Sequence, residues 1–201
     1  IVGTYAVAED MSAITESTLS CAVEGDSVTG AKIAVPDAEL ATHAVVLVKG
    51  TKGPELRLVD LNSDGVEISL QKNLDKSRSF YKVAFNNAQS SLLGDQGSGW
   101  ESHVHIMDQA AVLFAFEQVG GSQQALDMAK EYAMERYAFG RQIGSYQAIK
   151  HKLADMYVAV TLAKSNCYYG AWALSSESSE LPLAAATSRV SATKAFQLCA
   201  K

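Results

Sequence analysis

Residues 135–147, Glu-Arg-Tyr-Ala-Phe-Gly-Arg-Gln-Ile-Gly-Ser-Tyr-Gln, set two arginines, two glutamines and several aromatic rings in a short joint between two long stretches of helical periodicity. A guanidinium is a rigid fork of donors matched to phosphate oxygens, so Arg136, at the exit of one helix, is suited to hold a diphosphate. The next helix is expected to begin near Ser145, where its free backbone N–H groups add an anion-favouring end. Phe139 offers a face to a planar group, and Gln147, in the first turn, can donate and accept toward a nucleotide. A structural reading uses the same residues: Arg136 pairs with a surface carboxylate, Phe139 fills the gap between helices and Gln147 caps. Spacing alone leaves both open.

Other residues with chemical potential are less organised. His103-Val104-His105 with Asp108 could pass for metal ligands, but positions two apart on a helix point in different directions and no further Cys or His lies near in sequence, so no metal is expected. His43 and His151 read as surface or lightly buried imidazoles. Tyr168, Tyr169 and Trp172 stand at helical spacing and read as packing. Cys21, Cys167 and Cys199 are odd in number and far apart, which excludes a CxxC pair or a disulfide framework and fits a reducing compartment. A bacterial cytoplasm is the expected location, with a mitochondrial matrix as the alternative.

The elements that must position the joint fall into two kinds. Short runs rich in β-branched and aromatic residues, 19–24, 27–33, 44–48, 56–60, 66–70 and 80–85, alternate with turn signals such as Glu24-Gly25-Asp26 and Asn62-Ser63-Asp64-Gly65. Beyond Gly94-Asp95-Gln96-Gly97-Ser98-Gly99 the period becomes helical. One helix is expected from Trp100 to about Arg136, its pattern interrupted only by Gly120-Gly121. A second runs from about Ser145 to Leu174, with Ile149, Leu153, Met156, Val160, Ala163 and Cys167 on one stripe. A serine-rich connector at 175–180 precedes a third helix opened by Leu181-Pro182. Strands followed by helices, without βαβ alternation or internal repeat, predict an α+β chain: an antiparallel β-sandwich or open barrel over residues 1–94, then an up-and-down helical bundle over 95–201.

Composition narrows the class. The chain has 201 residues, 48% of them apolar, enough to bury a substantial core. Its net charge of −5, without a basic stripe, argues against nucleic acid as a partner. The longest nearly uncharged apolar run, 110–116, is far shorter than the ~20 residues of a membrane span. The chain opens on Ile1 and stops at Lys201 inside a helical pattern, so further sequence is expected at both ends.

Ala125-Leu126-Asp127, Tyr132-Ala133, Glu135-Arg136, Phe139-Gly140-Arg141, Ile143, Gln147 and Leu153-Ala154-Asp155-Met156 together resemble the signature of the acyl-CoA dehydrogenases. The order of strands then helices is similar to that family's middle β-domain and C-terminal four-helix domain, with the N-terminal helical domain absent. The resemblance implies FAD at a subunit interface of a tetramer. Residues matching Arg136, Phe139 and Gln147 would reach across to the pyrophosphate and adenosine side of a neighbour's flavin. It also implies an acyl-CoA substrate and electron-transfer flavoprotein as a redox partner.

Against that family pattern several positions differ. The reaction removes an α-proton while a β-hydride passes to the flavin, and it needs a carboxylate base near the substrate. In one branch of the family the base position falls on Ala110, followed by Ala111; Asp108 and Gln109 lie about 200° and 100° away round the helix. In the other branch the base lies beyond Lys201. The family's Thr-Glu-Pro corresponds to Ala8-Glu9-Asp10, and its Asn-Gly-x-Lys-x-Trp-Ile-Thr strand to residues 29–36, where Ala34 replaces Trp and Pro36 replaces Thr. An intact joint beside a lost base and lost ring contacts resembles the degenerate subunit of bacterial heterotetramers, some of which shorten steroid side chains. The resemblance therefore implies no catalytic residue here and a role in completing a partner's site. A complete homotetrameric enzyme and a flavin-free scaffold are the alternatives.

Overall fold

A computed structural model of the chain describes residues 2–201. It divides into two compact units, one ending at Val104 and one beginning at His105.

The first unit contains β1 (Gly3–Ala6), β2 (Ala22–Glu24), β3 (Ser27–Pro36), β4 (His43–Gly50), β5 (Gly53–Asp60), β6 (Val66–Gln71) and β7 (Phe80–Leu93). Neighbouring strands run β1-β4-β2-β3-β7-β5, β4 also pairs with β5, and β6 joins β7. Pairings from β2 through β3, β7, β5 and β4 return to β2 by a parallel bridge between Ala22 and Lys49, so five strands form a ring. The sheet is mostly antiparallel, as expected, with parallel pairing only where β4 meets β1 and β2. Alternate residues point inward: Val28, Val35, Ala44, Val46, Val48, Val59, Val83 and Phe85 form one buried core.

Two boundaries differ from expectation for physical reasons. Residues 19–21 are not in the strand, because the N–H groups of Ser20 and Cys21 donate to the Glu9 carboxylate instead of to a ladder. Strand β7 does not stop at Phe85. Asn86-Asn87 form a bulge, with Asn87 at φ 52° and the register slipping between the Val28 and Gly30 pairings, after which the strand continues to Leu93. Strand β1 is not among the expected elements; its four residues carry too little periodicity to register.

Three helices complete the chain: α1 (Gly99–Glu135), α2 (Gln147–Ser175) and α3 (Leu181–Cys199). None among the described residues is long and apolar enough to cross a membrane. On α2 the buried stripe is Met156, Val160, Ala163, Cys167, Gly170 and Ala173, steps of four and three, and Pro182 occupies the first turn of α3. Small residues let these helices approach closely. Helix α1 runs unbroken through Gly120-Gly121, where a Cβ on Gly121 would lie 2.6 Å from the Phe196 ring. At Gly170 a Cβ would lie 2.5 Å from Ser188 Oγ, whose hydroxyl is within 2.8 Å of the Asn166 carbonyl and 2.7 Å of the Ala184 carbonyl.

That contact makes a specific demand. Gly170→Ala is expected to destabilise the chain by about 1–3 kcal/mol in denaturant unfolding, as overpacking does. Combination with Ser188→Ala should recover part of the loss; equal stability of the parent and Gly170→Ala would contradict the close approach.

Candidate functional site

The joint at 135–147 is not a plain connector. After α1 ends at Glu135, Tyr137–Ala138 (β8) and Arg141–Gln142 (β9) form a two-stranded hairpin, and a 3-10 turn over Ile143–Ser145 leads to α2. Helix α2 therefore starts two residues later than expected, with Tyr146 as its N-cap residue. Phe139 and Gly140 make the hairpin turn with φ 51° and φ 80°. Positive φ at both central residues is the type I′ form of a two-residue hairpin link, and glycine adopts it freely. For Phe139 the left-handed conformation costs roughly 1–2 kcal/mol. No burial offsets that cost, since the ring is 97% exposed.

The three sequence-predicted residues lie on this joint, all exposed. Among the described residues no carboxylate pairs with the Arg136 guanidinium. The Arg136 backbone is fixed from both sides: its N–H donates to Tyr132 and its carbonyl accepts from Ile143. Gln147 opens α2, and no side-chain hydrogen bond caps that helix. Its leading N–H groups are thus left for solvent or a ligand. The structural uses of these side chains, a surface ion pair, a filled gap and a cap, are not the ones the chain makes. Sequence reasoning did not single out Arg141 and Tyr146: the Arg141 guanidinium carbon lies 4.0 Å from the Tyr146 ring centroid, and the Tyr146 hydroxyl donates to the Ala138 carbonyl at 2.8 Å.

In the first unit the segments that resemble flavin-ring contacts are brought together. Ile33 N–H donates to the Ala8 carbonyl at 2.8 Å. Lys32, with no exposed surface, donates to Glu9 at 2.7 Å and to the Val7 carbonyl at 3.0 Å. Burial pushes the Glu9 carboxyl up, but hydrogen bonds from Lys32 and Ser20 outweigh it and hold the group below its ordinary value. Burial in turn lowers the Lys32 ammonium. At the positions that the resemblance sets against a flavin ring, Ala8 and Ala34 carry methyl groups and Pro36 has no N–H to give. Ala34 sits at φ 52°, and its N–H is taken by Gln71 Oε1 at 2.6 Å.

Ala110, which the resemblance sets at one base position, lies on α1, half-buried, and carries only a methyl group. Nearby Gln109 is engaged with His105 at 2.8 Å. His103 is instead buried, 2.9 Å from the Tyr5 hydroxyl and beside Trp100. Burial, then the charge of Lys32, lowers its pKa. The two histidines thus serve different contacts. Tyr169 stacks on Trp172 and Tyr168 meets Phe116 edge-on, yet Tyr168 and Trp172 are more than half exposed, which differs from the packing role expected of them.

Residues 97–201 match the family model described as acyl-CoA dehydrogenase, C-terminal domain. Over 95 residues the chain is 40% identical to the acyl-CoA dehydrogenase IpdE2 of Mycobacterium tuberculosis, covering 47% of this chain and 28% of that protein. It is 31% identical over 154 residues to the caffeyl-CoA reductase-Etf complex subunit CarC of Acetobacterium woodii, covering 71% of this chain and 40% of the relative. Butyryl-CoA dehydrogenase of Megasphaera elsdenii shares the fold with a TM-score of 0.89 at 20% identity, over 96% of this chain and 54% of the other. The chain spans less than half the length of the curated relatives it matches.

The buried pair sets a pH dependence. With its folded pKa depressed, Glu9 contributes stability that is complete above its unfolded value of about 4.3 and is lost as pH falls through the lower folded value. Glu9→Gln is expected to remove that part of the acid dependence and to lower stability at neutral pH by about 3 kcal/mol, because Lys32 is left buried without an anion. An unfolding midpoint equal to the parent's would refute the assignment.

Proposed function

Because this chain belongs to the acyl-CoA dehydrogenase family, we propose that it is a subunit of an FAD-dependent acyl-CoA dehydrogenase, one that completes a partner's flavin site and supplies no base. The observation that carries this reading is the state of the joint. Among the described residues no carboxylate pairs with Arg136, Phe139 is held outward at a backbone cost, and α2 begins without a side-chain cap.

FAD, when bound, supplies the hydride acceptor for α,β-dehydrogenation of an acyl-CoA thioester. The chain's donors fit the diphosphate and nucleotide half of that cofactor. Arg136 grips phosphate oxygens with its fork, the open α2 N-terminus favours the same anion, Phe139 lies against a planar face, and Gln147 hydrogen-bonds the nucleotide. The fit fails at the ring half, where Ala8, Ala34 and Pro36 offer neither hydroxyl nor aromatic face. At one base position stands Ala110, whose methyl group cannot take the α-proton. A chain able to hold the cofactor's tail yet unable to seat its ring is suited to a flavin seated elsewhere.

The partner is a homologous subunit in a tetramer, and the substrate is an acyl-CoA of fatty acid or steroid side-chain β-oxidation. Electron-transfer flavoprotein is the redox partner; one relative is by name a subunit of a reductase-Etf complex, which supports that choice.

Arg136→Ala, in the purified assembly, is expected to weaken FAD retention at least about tenfold, the worth of one charge-assisted hydrogen bond, while the chain's melting temperature stays unchanged. Undiminished flavin occupancy would overturn the clamp. A full-length protein that is yellow when expressed alone, and that reduces an artificial acceptor with acyl-CoA, would overturn the non-catalytic assignment.

A further inference from the structure

Two residues flank the hairpin turn, Ala138 before it and Arg141 after it, and they are cross-strand partners. Tyr146 engages both. Its hydroxyl donates to the Ala138 carbonyl at 2.8 Å, and its ring lies under the Arg141 guanidinium at 4.0 Å. Tyr146 is also the N-cap residue of α2, adjacent to Gln147. One side chain thereby ties the turn to the start of the helix.

The hairpin needs such a tie. Each strand has two residues, and a two-stranded ribbon of that size is not stable in water by itself. Phe139 holds a left-handed backbone with its ring 97% exposed, so the ring contributes nothing to holding its own conformation. Strained conformations persist only where surrounding contacts determine them. The contacts found at this turn are the β8–β9 pairing and the two interactions of Tyr146.

We propose that Tyr146 is a positioning residue of the flavin clamp, fixing the turn so that the Phe139 ring and the Gln147 amide keep one spacing before the cofactor arrives. The role rests on the clamp reading above. It does not make Tyr146 a ligand: its hydroxyl is committed to Ala138 and its ring face to Arg141. Preorganisation of this kind slows ligand release without adding a contact.

The test measures FAD release from the purified assembly after dilution, by the fluorescence of free flavin. Tyr146→Phe keeps the ring and removes only the hydroxyl; release is expected to quicken about fivefold, the effect of one neutral hydrogen bond. Arg141→Gln, which removes the cation from the ring face, is expected to act in the same direction. In a Phe139→Gly background, where the turn carries neither strain nor ring, the Tyr146→Phe effect should shrink below about twofold, the non-additivity of residues acting as a unit. The same factor in both backgrounds, or a lowered melting temperature with unchanged release, would overturn the positioning role. If Arg136→Ala and Phe139→Gly both leave release unchanged, the clamp itself falls and this role falls with it. If they act and neither Tyr146→Phe nor Arg141→Gln does, only the positioning role is lost.

Discussion

Two antiparallel strands joined by only two residues turn most favourably through positive φ at the first of them, and this chain puts a phenylalanine there. Everything distinctive about the joint follows. A left-handed backbone at Phe139 directs an aromatic ring outward, where it packs against nothing in its own chain. The same hairpin separates Arg136, at the end of α1, from Gln147, at the start of α2, by a short fixed structure in place of a variable loop. A helix-to-helix connection could be made more cheaply with Asn-Gly at the turn, and the proposed clamp gives the strain at Phe139 a use.

The first unit is held by a different device, a buried ion pair. A lysine with no exposed surface needs an anion, and Glu9 meets it while also accepting from Ser20 and Cys21. This network fixes residues 7–21 against β3 whatever side chains stand at positions 8, 34 and 36. Removing a hydroxyl or an indole from the surface of such a frame costs the fold little. Substituting a member of the pair would cost it much more, because a buried charge would be left alone. The side chains at positions 8, 34 and 36 therefore carry little of the sheet's stability, and the Glu9–Lys32 pair carries much of it.

Much of the fold was legible because periodicity reports burial. The α2 stripe from Met156 to Cys167 was read from steps of four and three, and the change from strands to helices from the glycine-rich run before Trp100. Strand β1 escaped because four residues carry no period, and the far half of β7 because Asn86-Asn87 look like a turn when they make a bulge. At the joint, the types and order of Arg136, Phe139 and Gln147 were visible, while the hairpin that presents them was not. Phe-Gly is not a sequence favoured in such a turn. Nor could the sequence show that the Tyr146 hydroxyl reaches back eight residues to Ala138, since that contact exists only once the chain has reversed.

The ring of strands in the first unit has a consequence for how this protein meets others. Each of the five strands in the circuit has partners on both sides, which leaves few backbone donors and acceptors to recruit a foreign strand. Along these five strands the closed circuit guards against runaway fibre-like stacking. Recognition is left to side chains, where a wrong companion can be refused.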